Sequence, residues 1–146
     1  VKVVIVNSRP LAKAKQIDFH TDIQLSDSPK ILADPVLLRQ AMQNLINNAI
    51  KYTQEGSVTL TSYCDEQRFH FVVEDTGIGI PEDDMPYIFE SFYRVNSARF
   101  AEKGSGLGLS LVKSVIARHN GEIWVKSKLG EGSRFGFWLP LNQGKR

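Results

Sequence analysis

Between Thr76 and Gly108 the chain shows almost no periodic apolar pattern. Glycine, proline and polar residues dominate, broken only by an aromatic cluster at Tyr87–Tyr93 that suits one or two helical turns. In a chain of 146 residues, the length of one domain, a connection this long is either functional or disordered. The patterned segments lie on either side of it, with no internal repeat and no second domain.

On the N-terminal side, Val1–Lys15 opens with a β-branched run and continues after Pro10 as a Leu/Ala/Lys stretch, which suits a small strand or linker leading into a helix. Ile17–Leu25 alternates apolar and polar residues as a half-buried strand does, Ser26–Lys30 reads as a turn, and Ile31–Ala33 suits another short strand. Asp34-Pro35 then supplies a carboxylate N-cap followed by proline at the first helical position. From Val36 to Tyr52, Leu38, Met42, Leu45, Ile46 and Ala49 recur at three- and four-residue spacing and predict an amphipathic helix. Gly56 ends it, and Ser57–Cys64 and Arg68–Asp75, joined by Asp65-Glu66-Gln67, predict an antiparallel hairpin. Beyond the long connection, Leu109–His119 is helical by pattern and closes at Asn120-Gly121, before strands Glu122–Ser127 and Arg134–Leu139.

Composition removes several classes of function. Hydrophobic residues at 42% and charged residues at 23% exclude a disordered chain, and the longest clean apolar run, Val3–Val6, is far short of the ~18 residues of a membrane span. A net charge of +2, with the basic residues spread along the chain, gives no support for nucleic-acid binding. Cys64 is the single cysteine, so no internal disulfide or multi-cysteine metal site forms, and a cytoplasmic setting is expected. The start at Val1, without Met or a leader, reads as part of a longer chain.

Three clusters suggest chemistry. Asp75-Thr76-Gly77-Ile78-Gly79-Ile80-Pro81 puts a carboxylate at a strand end, followed by glycines that let backbone approach a flat ligand; taken alone, a strand-terminating Asx turn explains it as well. Gly104-Ser105-Gly106-Leu107-Gly108-Leu109 opens onto a helix, where backbone amides and the positive helix end suit phosphate. Its spacing is neither that of a dinucleotide fingerprint nor that of a P-loop, and a plain linker before a helix is the simpler alternative. At about 100° per residue, Asn44, Asn48 and Lys51 share a narrow arc roughly opposite the apolar stripe of their helix. Amide oxygens there suit a hard Mg²⁺ and the ammonium suits phosphate, although a solvated helix face has the same composition.

Together and in this order the clusters resemble a known family. Asn44-Leu45-Ile46-Asn47-Asn48-Ala49-Ile50-Lys51-Tyr52-Thr53 resembles the N-box of sensor histidine kinases, and Asp75 to Ile80 resembles their first glycine box. Phe89-Glu90-Ser91-Phe92-Tyr93-Arg94 is similar to the F-box, Gly104 to Leu109 to the second glycine box, and Gly130-Glu131-Gly132-Ser133-Arg134-Phe135 to the last glycine-rich turn. The resemblance implies a Bergerat-type α/β (α+β) two-layer sandwich: a mixed sheet backed by three helices, with a mobile ATP lid at about residues 81–105.

It also implies roles for single residues. Asn48 would bind Mg²⁺, with Asn44 beside it at the phosphate end, Lys51 near phosphate and Tyr52 against adenine. Asp75 would accept the adenine amino group, and a guanine carbonyl at the same place would face it unpaired. Gly77, Gly79 and Ile80 would shape the base pocket, with Ser133 in the last turn. Gly104, Ser105, Gly106, Leu107, Gly108 and Leu109 would form the phosphate-binding box, and Arg94 and Lys103 would bring positive charge from the lid. ATPase relatives of this fold, such as type II topoisomerases, mismatch-repair proteins and a heat-shock chaperone, carry a general-base Glu four positions before the magnesium Asn. Asn44 stands there in this chain and cannot take a proton.

The resemblance therefore implies transfer of the γ-phosphoryl of Mg·ATP to a histidine, leaving ADP, with Asn44, Lys51 and Arg94 nearest the chemistry. None of His20, His70 and His119 is followed by the acidic residue the family places after its acceptor, so all three read as structural. The acceptor is expected on a separate upstream dimerisation domain of a homodimeric parent, with a response-regulator receiver domain as the next partner. A nucleotide-gated interaction module and a serine/threonine-directed anti-sigma kinase of the same fold are the rivals. Cys64 reads as a small strand residue, and Phe89, Phe92, Tyr93 and Phe100 as aromatics that pin the lid or dock the acceptor domain.

Overall fold

Asp34 starts the helix around which the domain is organised. The structure, a computed structural model, describes residues 2–24, 33–90 and 108–141. One carboxylate oxygen of Asp34, Oδ1, accepts the backbone N–H groups of Val36 at 2.9 Å and Leu37 at 3.1 Å, and Pro35 takes the first helical position of α2 (Pro35–Lys51). His119 secures the same corner: its Nε2 accepts the Asp34 N–H at 3.0 Å while Nδ1–H donates to the Val115 carbonyl at 2.7 Å. Asp34→Ala is expected to cost about 1 kcal/mol of stability, seen as a lower Tm. An unchanged Tm would mean that His119 and Pro35 fix this end without the cap.

Helix α2 buries Ala41, Met42, Leu45, Ile46, Ala49 and Ile50, more than one stripe, because it packs against helices on both flanks as well as on the sheet. Those neighbours are α1 (Lys2–Ala14) and α3 (Gly108–Arg118). Helix α1 overturns the expectation of a strand or linker at the N-terminus. Val4, Ser8 and Ala12, four residues apart, are all buried, so helical periodicity overrides the β-branched composition. The serine hides this pattern in the sequence; its hydroxyl donates to the Val4 carbonyl at 2.7 Å inside the helix. Pro10 lies within α1 among exposed residues.

The sheet runs in the order β1-β2-β3-β5-β4, from β1 (Asp18–Gln24), β2 (Ser57–Cys64), β3 (Arg68–Asp75), β4 (Glu122–Lys128) and β5 (Gly132–Pro140). The β2–β3 hairpin and the β4–β5 pair are antiparallel, whereas β1 runs parallel to β2, with α2 as the crossover. Sheet and helices make two layers, and the inward residues Val58, Leu60, Phe69, Phe71, Val73, Phe135, Phe137 and Leu139 meet the helices in one core. Phe71 stacks on Phe137 with centroids 5.2 Å apart; burying each ring fully contributes about 2–3 kcal/mol. Cys64 is half-buried on the same inward face, and His70 stacks on Tyr63 on the other.

Between β3 and α3 the described residues hold a 3-10 helix at Glu82–Tyr87, earlier than the Tyr87–Tyr93 position expected from the aromatics. Acidic residues and Pro86 form this turn. Tyr87 is exposed, Ile88 is buried, and Phe89 packs against the core beneath the Lys113 ammonium. The expected Ser26–Lys30 turn, residues 31–32 of the short strand, residues 91–105 of the lid and residues 106–107 of the second glycine box lie outside the described residues; Ala33 is in no strand. Among the described residues no helix is long and apolar enough to cross a membrane.

Candidate nucleotide-binding site

Strand alternation places a carboxylate inside the domain. Phe69, Phe71 and Val73 face the core from β3, and Asp75, two residues on, falls on the same face at the strand end, 6% exposed. Its ladder partner on β5 is Ser133, whose N–H donates to Asp75 Oδ1 at 3.2 Å; the Gly77 N–H donates to the same oxygen at 2.9 Å. Burial pushes the Asp75 carboxyl up to about 6, the two N–H donors offset part of that rise, and the neighbouring Glu74 charge adds to it.

The chain turns directly from Asp75 onto the C-terminal end of α2. A Cβ at Gly77 would lie 2.4 Å from the Tyr52 carbonyl oxygen and 2.9 Å from Asp75 Oδ1, so only glycine lets the backbone pass here. Helix α2 carries Asn44, Asn48 and Lys51, and Tyr52 is its C-cap; all four are half-buried, and the Lys51 ammonium lies 5.3 Å from the Tyr52 ring centroid. Two residues absent from the expected set hold this end of the helix. Lys15 donates to the Ile50 and Lys51 carbonyls at 3.0 Å each, and the buried Thr53 hydroxyl donates to Ala49 at 2.8 Å.

The opposite side of the loop is strapped to the β4–β5 turn. Gly79, at φ +76°, would bring a Cβ to 2.1 Å from the Lys128 carbonyl, and the Gly130 N–H donates to the Ile78 carbonyl at 2.7 Å. Ile80 is buried, and its N–H donates to the Ser127 hydroxyl at 2.8 Å. Ser127 was not expected here; the signal for it is a small hydroxyl continuing the inward alternation of Ile123 and Val125 on β4. Gly108 opens α3, which packs on α2, and Leu109 packs against the core.

The structure thus brings Asp75, Gly77, Gly79, Ile80 and Ser133 together, and the Gly77–Ile78 turn meets Tyr52, the C-cap of α2, next to Lys51, with Asn48 and Asn44 further back along the helix. Arg94, Lys103, Gly104, Ser105, Gly106 and Leu107 lie outside the described residues, as do Phe92, Tyr93 and Phe100. Residues 33–143, which contain every expected box, match the model of the histidine kinase-, DNA gyrase B- and HSP90-like ATPases. The chain belongs to this family.

Its relatives are histidine kinases. It is 40% identical over 142 residues to the adaptive-response sensory kinase SasA of Synechococcus sp. strain JA-2-3B'a(2-13), covering 96% of this chain and 37% of that protein. It is 39% identical to the circadian input-output histidine kinase CikA of Synechococcus elongatus, over 88% of this chain and 18% of that protein. The chain therefore spans little more than a third of the SasA relative's length. The full-length ShkA structure in complex with AMPPNP superposes with a TM-score of 0.84 at 34% identity, over 99% of this chain and 30% of ShkA. The mycobacterial sensor histidine kinase MprB superposes at 0.79 with 29% identity, over 97% of this chain and 95% of that one. The fold is that of a histidine kinase catalytic domain, and the family, together with the AMPPNP complex of a neighbour, supports ATP binding.

Proposed function

We propose that this domain binds Mg·ATP and presents its γ-phosphoryl group to a histidine on a separate dimerisation domain of the same kinase. The observation that carries this reading is the buried Asp75. Its Oδ1 accepts the backbone N–H groups of Gly77 and Ser133 at the end of β3, which fixes the direction of a carboxylate that is almost wholly buried. A costly buried carboxylate with a fixed orientation is what reading an adenine amino group demands.

In this reading Tyr52 lies along the base, Lys51 meets phosphate, Arg94 and Lys103 approach from the lid, and the amides of the second glycine box and the start of α3 hold the remaining phosphate oxygens. Among the described residues no cluster of three or more His, Cys, Asp or Glu could hold a metal ion. The amide oxygens of Asn48 and Asn44 are hard donors suited to Mg²⁺ shared with phosphate, and the ion would supply charge neutralisation at the transferring group. Catalysis by the chain's own residues is then positioning and electrostatics. Asn44 offers no base for water, so hydrolysis is not favoured over transfer.

Calorimetric titration with a non-hydrolysable ATP analogue and its GTP counterpart, alongside an ATP turnover assay, tests this. Micromolar binding of the ATP analogue, GTP-analogue binding weaker by at least tenfold, and turnover near background are expected. Equal affinities would remove the role of Asp75, and brisk turnover by the isolated domain would remove that of Asn44.

A further inference from the structure

Ser127 joins the two walls of the base pocket. Its hydroxyl, on β4, meets three partners: the Ile80 N–H at 2.8 Å, the Gly132 carbonyl at 3.0 Å and the Ser133 hydroxyl at 2.7 Å. One arrangement satisfies them all: Ser127 Oγ accepts from Ile80 N–H and from the Ser133 hydroxyl and donates its single proton to Gly132. Ile80 ends the loop that begins at Asp75, and Ser133 is the residue whose N–H holds Asp75 Oδ1. A single side chain outside the loop therefore ties both segments that orient the carboxylate.

No apolar residue could replace this tie. A methyl in place of the hydroxyl leaves the Ile80 N–H and the Ser133 hydroxyl without their partner, and the cheapest relief is movement of the loop away from β4. Movement of that kind shifts the Gly77 and Ser133 N–H groups relative to each other, and with them the free face of the Asp75 carboxylate.

We infer that Ser127 is a positioning residue for nucleotide-base recognition, acting through Ile80 and Ser133 to fix the direction in which Asp75 presents its acceptor oxygen. The inference rests on the proposed reading of Asp75 as the adenine acceptor. It concerns selectivity between bases, which a residue that merely stabilises the turn would leave alone.

The test compares ADP with inosine diphosphate, which carries a carbonyl where adenine carries its amino group. Calorimetric affinities are measured for wild type, Ser127→Thr and Ser127→Val, two side chains of similar volume that differ in the hydroxyl. The threonine variant is expected to keep the wild-type preference for ADP, and the valine variant to narrow it by about tenfold, mainly through weaker ADP binding. Ser127→Ala adds no volume and reads the same ratio if the valine variant does not melt cooperatively. An unchanged ratio in the variants without the hydroxyl, even with a lowered Tm, would overturn the inference and leave Ser127 a structural tie. Absence of preference in the wild type would instead overturn the reading of Asp75, and this inference with it.

Discussion

Asp75→Asn is expected to abolish adenine-nucleotide binding, weakening it at least a hundredfold, while making the empty domain more stable at neutral and alkaline pH. An asparagine keeps a carbonyl oxygen for the Gly77 and Ser133 N–H groups, but it turns an NH₂ donor toward the adenine amino group, and two donors then face each other. A loss of this size equals about 3 kcal/mol.

The stability effect has the opposite sign. Burial raises the Asp75 carboxyl from 3.8 to about 6, so the folded state resists ionisation more than the unfolded chain does. Below about pH 3 both states are protonated and the residue costs nothing. Stability falls as pH rises through the interval and reaches its full deficit above about 6, roughly 3 kcal/mol for a carboxyl raised from 3.8 to about 6. Thermal melts of wild type and Asp75→Asn should therefore separate by several degrees at pH 8, with the asparagine variant higher, and converge toward about pH 3. A variant less stable than wild type at pH 8 would show that the carboxylate holds the loop in place and is not a group retained for binding at a cost to the fold.

The second large effect is at Gly79. Alanine there must adopt φ near +76° and place its Cβ 2.1 Å from the Lys128 carbonyl oxygen, so the first glycine loop and the β4–β5 turn cannot both stay where they are. The left-handed backbone costs about 1–2 kcal/mol and separation of the two turns more, for a total of roughly 3–5 kcal/mol, a large share of a domain's stability. Gly130→Ala is the internal control. At φ +85° it carries the same kind of backbone cost, but nothing lies within 4 Å of its Cβ, and a loss of about 1 kcal/mol is expected. Equal losses in denaturant melts would show that backbone conformation alone, and not the close approach, sets the requirement for glycine at 79.

How far the sequence discloses the fold depends on whether the signal is local. Helix α2 is legible because its start rests on one side chain, Asp34, and its burial on i, i+3 and i+4 spacing; the β2–β3 hairpin is legible because strand alternation stops at Asp65. Helix α1 is misread because a buried serine, Ser8, occupies the central core position and its first turns, Val3–Val6, are β-branched. The parallel pairing of β1 with β2 depends on a crossover that no local pattern encodes. In the site, Asp75, Gly77 and Gly79 stand out because they punctuate a strand end. Ser127 does not, since its importance arises only when β4 is folded against the loop 47 residues before it. Lys15 is hidden in the same way: its contacts to the end of α2 lie 35 and 36 residues along the chain.

The most direct measurement of the central claim is phosphoryl transfer. The domain is incubated with γ-labelled ATP, Mg²⁺ and a separately supplied histidine-phosphoacceptor domain, and the label on the acceptor is followed through acid and alkali. The account predicts label that is lost in acid and retained in alkali, as phosphohistidine is, and absent when Asp75→Asn replaces the wild type. Label that survives acid, or release of inorganic phosphate at a comparable rate without transfer, would contradict it.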